Sequence, residues 1–471
     1  MRNLFNSQCI FKLYFQVKNM PIKYHSTNKE SKDVGFKTAL LKGQAPDSGL
    51  YMPNEVPTVS KEEFEEMKNM NYPEVAAIVV KKFLKEIPKE KIQKMCKEAY
   101  KDLKVPLEKV DEKNYILRMG QGPTASFKDY AALLMSRLMG YYSKNMEEDI
   151  IVLVATSGDT GSAIANGFYD VDGVKVVVMY PKNEVTKRQA RLMDSLGKNI
   201  HALAVDGVFD DLQSNAICAF DDKDLNNKLK EKGKILTSAN SINWGRIMPQ
   251  IIYYFYAASR IKNNENDIIF SVPSGNFGNV TAGLFSKKMK NPVSRFIIPT
   301  NENDEFPVFM QTGIYKATSP SKNCISNAMN VGDPSNLRRL FELYDGQLIK
   351  DKGIKKMPNL ENMKKDIFSV SVTDNLTLKT MKSALESDLI LEPHGAVGWA
   401  GSKKYRMHTK DKDSIVITLE TAHPAKFPKN LEKIGANVKL PKSMKDVDEK
   451  KSLAKNVSKD YSILKDFLLD L

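Results

Sequence analysis

Ile268-Ile-Phe-Ser-Val-Pro-Ser-Gly-Asn-Phe-Gly-Asn-Val280 decides the fold class of this chain. Ile268 to Val272 form a short run that is apolar on both faces, and a turn with Gly275 and Gly278 bracketing Asn276 and Phe277 follows it before a helix that begins near Val280. A strand buried on both faces belongs in a parallel sheet covered by helices. Successive backbone N–H groups in such a turn form a nest, and the positive end of the following helix adds to it, so a phosphate monoester fits there without a lysine. No Gly-Lys-Ser or Gly-Lys-Thr follows, which excludes a Walker loop, and the absence of Gly-x-Gly-x-x-Gly argues against a dinucleotide.

The same pattern recurs outward from this stretch. Ile150 to Val154, Val174 to Tyr180, Phe296 to Ile298 and Ile415 to Leu419 are further short apolar runs separated by helical patterns. Strands alternating with helices predict an α/β architecture of parallel-sheet domains, with ligands bound where loops leave the carboxyl ends of strands. Upstream, Ala45 to Pro53 is dense in turn formers. Val75, Ile78, Val79 and Phe83 then place one apolar face on a helix. This organisation predicts an N-terminal helical domain over 20–110, a catalytic α/β region over 111–430 and a charged helical tail over 431–471. Residues 1–19 carry Arg2, Lys12 and Lys18 and no acid, as an organelle presequence would. With one serine and little amphipathicity, the segment reads rather as an upstream start, with translation beginning at Met20.

The composition narrows the function. An apolar share of 42% in 471 residues is ordinary for a chain with a sizeable core. The net charge of +14 is spread along the chain and interleaved with acids, as on solvated helix faces, so nucleic acid is not an expected partner. No apolar run reaches the roughly 18 to 20 residues that span a bilayer, so no membrane partner is expected either. Cys9, Cys96, Cys218 and Cys324 are scattered and read as reduced intracellular thiols, without metal-ligand spacing.

Three more junctions carry chemistry. Gly122-Pro-Thr-Ala-Ser-Phe-Lys-Asp129 sets one lysine after small residues. Lys128 there is either a surface charge or an amine able to form a Schiff base with a flat ring that the small neighbours admit. Val154-Ala-Thr-Ser-Gly-Asp-Thr-Gly-Ser162 suits an anion or is a simple strand-to-helix cap. Leu419-Glu-Thr-Ala-His-Pro-Ala-Lys-Phe427 contains His423, which is either a general base or a structural loop residue, and His394 in Glu392-Pro-His-Gly-Ala-Val-Gly398 poses the same choice. Neither a hydrolase triad nor a metal site is supported. A lysine in a small-residue loop and a phosphate nest after a later strand are together what pyridoxal phosphate requires: an amine and an anion hole.

These residues resemble the threonine synthase family, of the fold type II class of pyridoxal-phosphate enzymes. The resemblance runs from about Ser26 to Leu471. It includes residues 45–53, 122–129, 155–162, Ser238-Ala-Asn-Ser-Ile-Asn-Trp-Gly-Arg246, 273–279, Thr300-Asn-Glu-Asn-Asp304, Ser326-Asn-Ala-Met329 and 421–427. It implies Lys128 as the Schiff-base lysine and Gly275, Asn276, Phe277, Gly278 and Asn279 as the holders of the cofactor phosphate. It also implies Thr421 at the pyridine nitrogen and Asp159 near the ring hydroxyl. The substrate phosphate falls to Thr160, Asn240, Ser241 and Arg246. The implied reaction is O-phospho-L-homoserine plus water to L-threonine plus phosphate, in a cytoplasmic monomer or homodimer. A phospho-lyase of the same lineage, releasing a 2-oxo acid, would need the same lysine, nest and clamp. Gln121, Asn183, Thr186 and Asn279 depart from the family's usual residues and bear on fine substrate positioning.

Overall fold

Two parallel sheets organise the chain in the computed structural model, which describes residues 20–156, 158–262 and 266–471. The segment 1–19 and Ser157 therefore lie outside the described residues. The strands, in chain order, are β1 (Lys23–Ser26), β2 (Val34–Gly35), β3 (Tyr51–Pro53), β4 (Leu107–Lys109), β5 (Asn114–Arg118), β6 (Asp149–Ala155), β7 (Val174–Pro181), β8 (Ile200–Asp206), β9 (Lys234–Ser238), β10 (Ile268–Ser271), β11 (Arg295–Thr300), β12 (Gln347–Ile349), β13 (Gly353–Lys356), β14 (Ile367–Ser371), β15 (Ile415–Glu420) and β16 (Lys455–Ser458).

One sheet has the order β14-β11-β10-β15-β5-β4, parallel except for the antiparallel pair β4–β5. The other has the order β16-β8-β7-β6-β9 and is parallel throughout. Every residue of β10 and β15 is buried, as is every residue of β6 after Asp149. Cover on both faces explains why these strands read as continuous apolar runs rather than alternating ones.

The sheet order positions the site. β10, β15 and β5 are neighbours, so the loops leaving their carboxyl ends emerge side by side at the inter-strand spacing of about 4.8 Å. β6 and β9 are neighbours in the other sheet and bring their own loops together in the same way.

The N-terminal part contains the small sheet β2-β1-β3 and the helices Tyr72–Phe83 and Lys89–Tyr100. Asn71 and Glu74 close a capping box on the first of these helices, and Pro73 fits its first turn, where no N–H is needed. Val75, Val79 and Phe83 are buried on its expected face, with Ile78 half-buried beside them, and they join the core that runs under the six-stranded sheet.

The tail requires a correction. Beyond the helix Pro428–Lys433, the region 431–471 is not a charged helical tail: it holds two short 3₁₀ turns, then β16, then the helix Tyr461–Asp470. β16 pairs in parallel with β8, while Leu464 and Leu468 enter the core with Ile151 and Val177. A four-residue edge strand rich in polar residues has no periodicity that its sequence would betray. The strands β5, β8, β9 and β14 also went unread. They are short, or carry small and polar residues whose burial comes from neighbouring strands.

Candidate active site

The loop after β5 leads into the helix Lys128–Ser143. Asp129, fully buried, accepts from the Thr124 amide at 2.9 Å and the Thr124 hydroxyl at 2.6 Å, which closes the loop on itself. A Cβ on Gly122 would lie 2.3 Å from the Asp129 carboxylate, so a small residue is needed there. The loop is stitched to the one after β15: Phe127 N–H donates to the Thr421 carbonyl at 2.8 Å and His423 N–H to the Ala125 carbonyl at 3.0 Å. This sets Lys128 beside Thr421. Burial lowers the Lys128 amine below its ordinary range, Lys426 and Arg246 push the same way, and Asp159 and Glu392 oppose them.

Asp159 opens the helix Asp159–Gly167 after Gly158, whose φ of 135° favours glycine. Thr156 accepts from the amides of Gly158 at 3.0 Å and Gly161 at 2.9 Å, which closes the strand-to-helix turn and leaves Asp159 free to face inward. One carboxylate oxygen lies 3.8 Å from the Lys128 Nζ, the other 2.7 Å from the Lys426 Nζ. Burial alone would raise the Asp159 carboxyl, but the two ammonium groups outweigh it and hold the group well below the usual carboxylate range. Thr160 follows in the first turn, half-buried.

The turn after β10 has the geometry read for it. Phe277 is left-handed with φ 60° and precedes the helix Gly278–Lys288, which lacks a side-chain cap. Among the described residues nothing accepts a hydrogen bond from the amides of Gly275 to Val280. A row of free amides at a helix N-terminus is a complement to a phosphate monoester. The Asn276 carbonyl accepts from the Asn336 amide at 3.3 Å, which holds the turn from outside. The Asn279 side chain turns inward: its oxygen accepts from the Tyr253 and Tyr254 hydroxyls, each at 2.6 Å. Only its backbone and its Nδ2, which has no partner among the described residues, remain for an anion.

Thr421, 7% exposed, has its hydroxyl 3.4 Å from the fully buried Glu392. Glu392 caps the helix Pro393–Thr409 through the amides of His394 at 2.7 Å and Gly395 at 2.8 Å. Its second oxygen lies 2.5 Å from His394 Nδ1, and His394 Nε2 accepts from the Ala328 amide at 3.1 Å. His394 is thus a helix-start residue that braces the turn beside Gly275. His423 is structural as well, its Nδ1 accepting from the Ala425 amide at 3.2 Å.

Beyond β9, Arg246 lies in the short helix Trp244–Ile247, 3% exposed. Its Nη1 donates to the Ala239 carbonyl at 2.8 Å, its Nε has no partner, and no carboxylate among the described residues stands within ion-pair distance. Burial lowers its guanidinium only to about 10, so it is charged at neutral pH. The Asn240 side-chain oxygen is likewise buried, with no partner among the described residues. Ser241 abuts the nest, 3.5 Å from where a Gly278 Cβ would stand. Buried Arg339 fixes this loop from behind by donating to the carbonyls of Ser241 at 3.1 Å and Ile242 at 2.6 Å.

The structure therefore gathers the expected residues into one region at the carboxyl edges of both sheets. Sequence reasoning missed Lys426, Glu392 and Arg339. Lys426 and Glu392 both fall inside quoted motifs, yet nothing local distinguishes a buried ammonium or carboxylate from a solvated one.

Comparison with known proteins agrees with this geometry. The family model described as "Threonine synthase N terminus" matches residues 23–100, "Pyridoxal-phosphate dependent enzyme" residues 102–420, and "Threonine synthase, C-terminal" residues 395–468. A threonine synthase of Escherichia coli strain K12 is 33% identical over 95% of this chain and 100% of its own. One from Buchnera aphidicola of Acyrthosiphon pisum is 35% identical over the same shares. The solved structure of a threonine synthase from Brucella melitensis with bound pyridoxal phosphate superposes with a TM-score of 0.87 at 32% identity, covering 95% of this chain and 99% of that one.

Proposed function

This chain belongs to the threonine synthase family of pyridoxal-phosphate enzymes, and we propose that it converts O-phospho-L-homoserine and water to L-threonine and phosphate, with Lys128 carrying the cofactor. One observation carries the reading: Arg246, 3% exposed, has no carboxylate within ion-pair distance among the described residues, and its Nε has no partner there. A cation left unpaired in a low-dielectric site is expensive unless a ligand supplies the anion. The row of free amides from Gly275 to Asn279 fits the cofactor's phosphate, and this leaves Arg246, Thr160, Asn240 and Ser241 for a second one.

When bound, pyridoxal phosphate supplies the electron sink that stabilises carbanion character at the carbons of an amino acid. The chain's residues do the rest. Thr421, a neutral hydroxyl on the Lys128 side of the site, is assigned to the pyridine nitrogen, and Asp159 to the ring hydroxyl. Lys128, with its amine lowered by burial, takes a proton from Cα and then from Cβ. Arg246 binds the phosphate oxygens through a planar fork and, with Thr160, Asn240 and Ser241, holds the charge that develops as phosphate leaves Cγ. Protonation at Cγ, addition of water at Cβ and return of a proton to Cα complete threonine.

We place the enzyme in the cytoplasm as a monomer or homodimer, with Cys96, Cys218 and Cys324 as free thiols. The test incubates purified protein with O-phospho-L-homoserine and quantifies phosphate, threonine and 2-oxobutyrate together, with Lys128→Ala as control. Equal threonine and phosphate, both lost in the variant, is the expected result. Phosphate accompanied by 2-oxobutyrate without threonine would overturn it.

A further inference from the structure

A second lysine is built into the Lys128 site. Lys426, on the loop after β15, has a side chain only 3% exposed. Its Nζ lies 2.7 Å from one Asp159 oxygen and donates to the Thr124 carbonyl at 2.9 Å, while the Lys128 Nζ lies 3.8 Å from the other Asp159 oxygen. One carboxylate is thus shared between two ammonium groups, and the shorter pair is the one with Lys426. Were Asp159 to face Lys128 alone, it would favour the charged amine strongly, and a charged amine cannot accept a proton. We propose that Lys426 is a positioning residue for Lys128: it fixes and neutralises the Asp159 carboxylate, so that the Lys128 amine sheds its proton readily.

The surrounding charges agree. Lys128 is faced by Asp159 from the helix 159–167, Lys426 from the loop after β15, Arg246 from the helix 244–247 and Glu392 from the start of the helix 393–409. His394 also faces Asp159, and Lys426 also faces Asp129. Removing Lys426 leaves two carboxylates, Asp159 and Glu392, against one guanidinium around the amine. Both losses act in one direction, because a repelling cation disappears and an attracting anion is unmasked.

The inference rests on Lys128 being the cofactor lysine, and the experiment separates the two. Protein loaded with pyridoxal phosphate is reduced with borohydride, and peptide mass spectrometry locates the pyridoxyl group. In parallel, visible absorbance is followed against pH for wild type, Lys426→Met and Lys426→Arg. The label is expected on Lys128 in all three. The absorbance midpoint should rise by about one pH unit or more in Lys426→Met and stay near wild type in Lys426→Arg. A label on Lys128 with an unmoved midpoint in Lys426→Met overturns the role of Lys426. A wild-type label elsewhere overturns the Lys128 assignment itself, and with it this inference. Should Lys426→Met fail to load, Lys426→Gln, which keeps a donor toward the Thr124 carbonyl but carries no charge, takes its place, and an unmoved midpoint in that variant refutes the proposal.

Discussion

Replacing Arg246 by methionine separates a structural arginine from a ligand-binding one. The guanidinium offers five N–H donors, and among the described residues one of them is used, by Nη1 on the Ala239 carbonyl. Two charge-assisted bonds to a phosphate are worth about 1.5 to 3 kcal/mol each, and the retained donors of Thr160, Asn240 and Ser241 compensate in part. A net loss of about 3 kcal/mol corresponds to a fall in kcat/KM of roughly 150-fold. Methionine keeps the length and apolar volume of the side chain, so no large cavity opens. Removing a buried cation without an ion-paired carboxylate should leave the ligand-free fold as stable as wild type or more so. Initial rates of phosphate release, with thermal melting in the presence and absence of inorganic phosphate, check both sides. Phosphate should raise the wild-type Tm and not that of Arg246→Met. A kcat/KM within about threefold of wild type, a change of about 0.6 kcal/mol, would refute the reasoning, as would an undiminished phosphate effect on the Tm of the variant.

Gly275→Ala should weaken cofactor binding about tenfold or more, because its Cβ would lie 2.6 Å from the Met329 Cα and 3.0 Å from the Ala328 carbonyl, and neither backbone atom can rotate away. Fluorescence titration of the apo-protein with pyridoxal phosphate measures this, and an unchanged Kd would show that the turn yields. Stability should also depend on Glu420, whose carboxyl burial pushes up from 4.5 to about 8, with Glu392 adding to the effect and Arg118 at 2.7 Å opposing it. Between those values the folded chain holds a proton that the unfolded chain has lost, so the contribution is full below pH 4.5 and is lost as the pH rises through 8. Urea midpoints should fall from pH 5 to pH 8, and Glu420→Gln should flatten that slope; an equal slope in the variant would assign it to other groups.

Much of this site could be read before any coordinates because its parts are contiguous. A nest is made by four or five successive residues, and Phe277 with its flanking glycines announces one whatever the rest of the chain does. Lys128 could be singled out for the same reason: Gly122 and the residues after it are small, and the structure shows how closely Asp129 packs there. The buried strands β6, β7, β10, β11 and β15 carry their environment in their composition. Edge strands do not: three of the four residues of β16 are exposed, and only its pairing with β8 makes it a strand. His394 and His423 stay open between two roles in the sequence because their neighbours along the chain do not say what their ring nitrogens meet.

The sequence by itself determined the kinds of chemistry on offer: an amine and an anion nest, each placed at the carboxyl end of a strand. These are local properties of short segments, set by side-chain type and backbone freedom. Only the tertiary structure decided that the loops after β10, β15 and β5 lie side by side, that Asp159 is shared by Lys128 and Lys426, and that the Asn279 side-chain oxygen turns to two tyrosines. The reason is that strand order and charge pairing depend on which distant segments pack together, and a buried charge differs from a solvated one only through partners that lie far away along the chain.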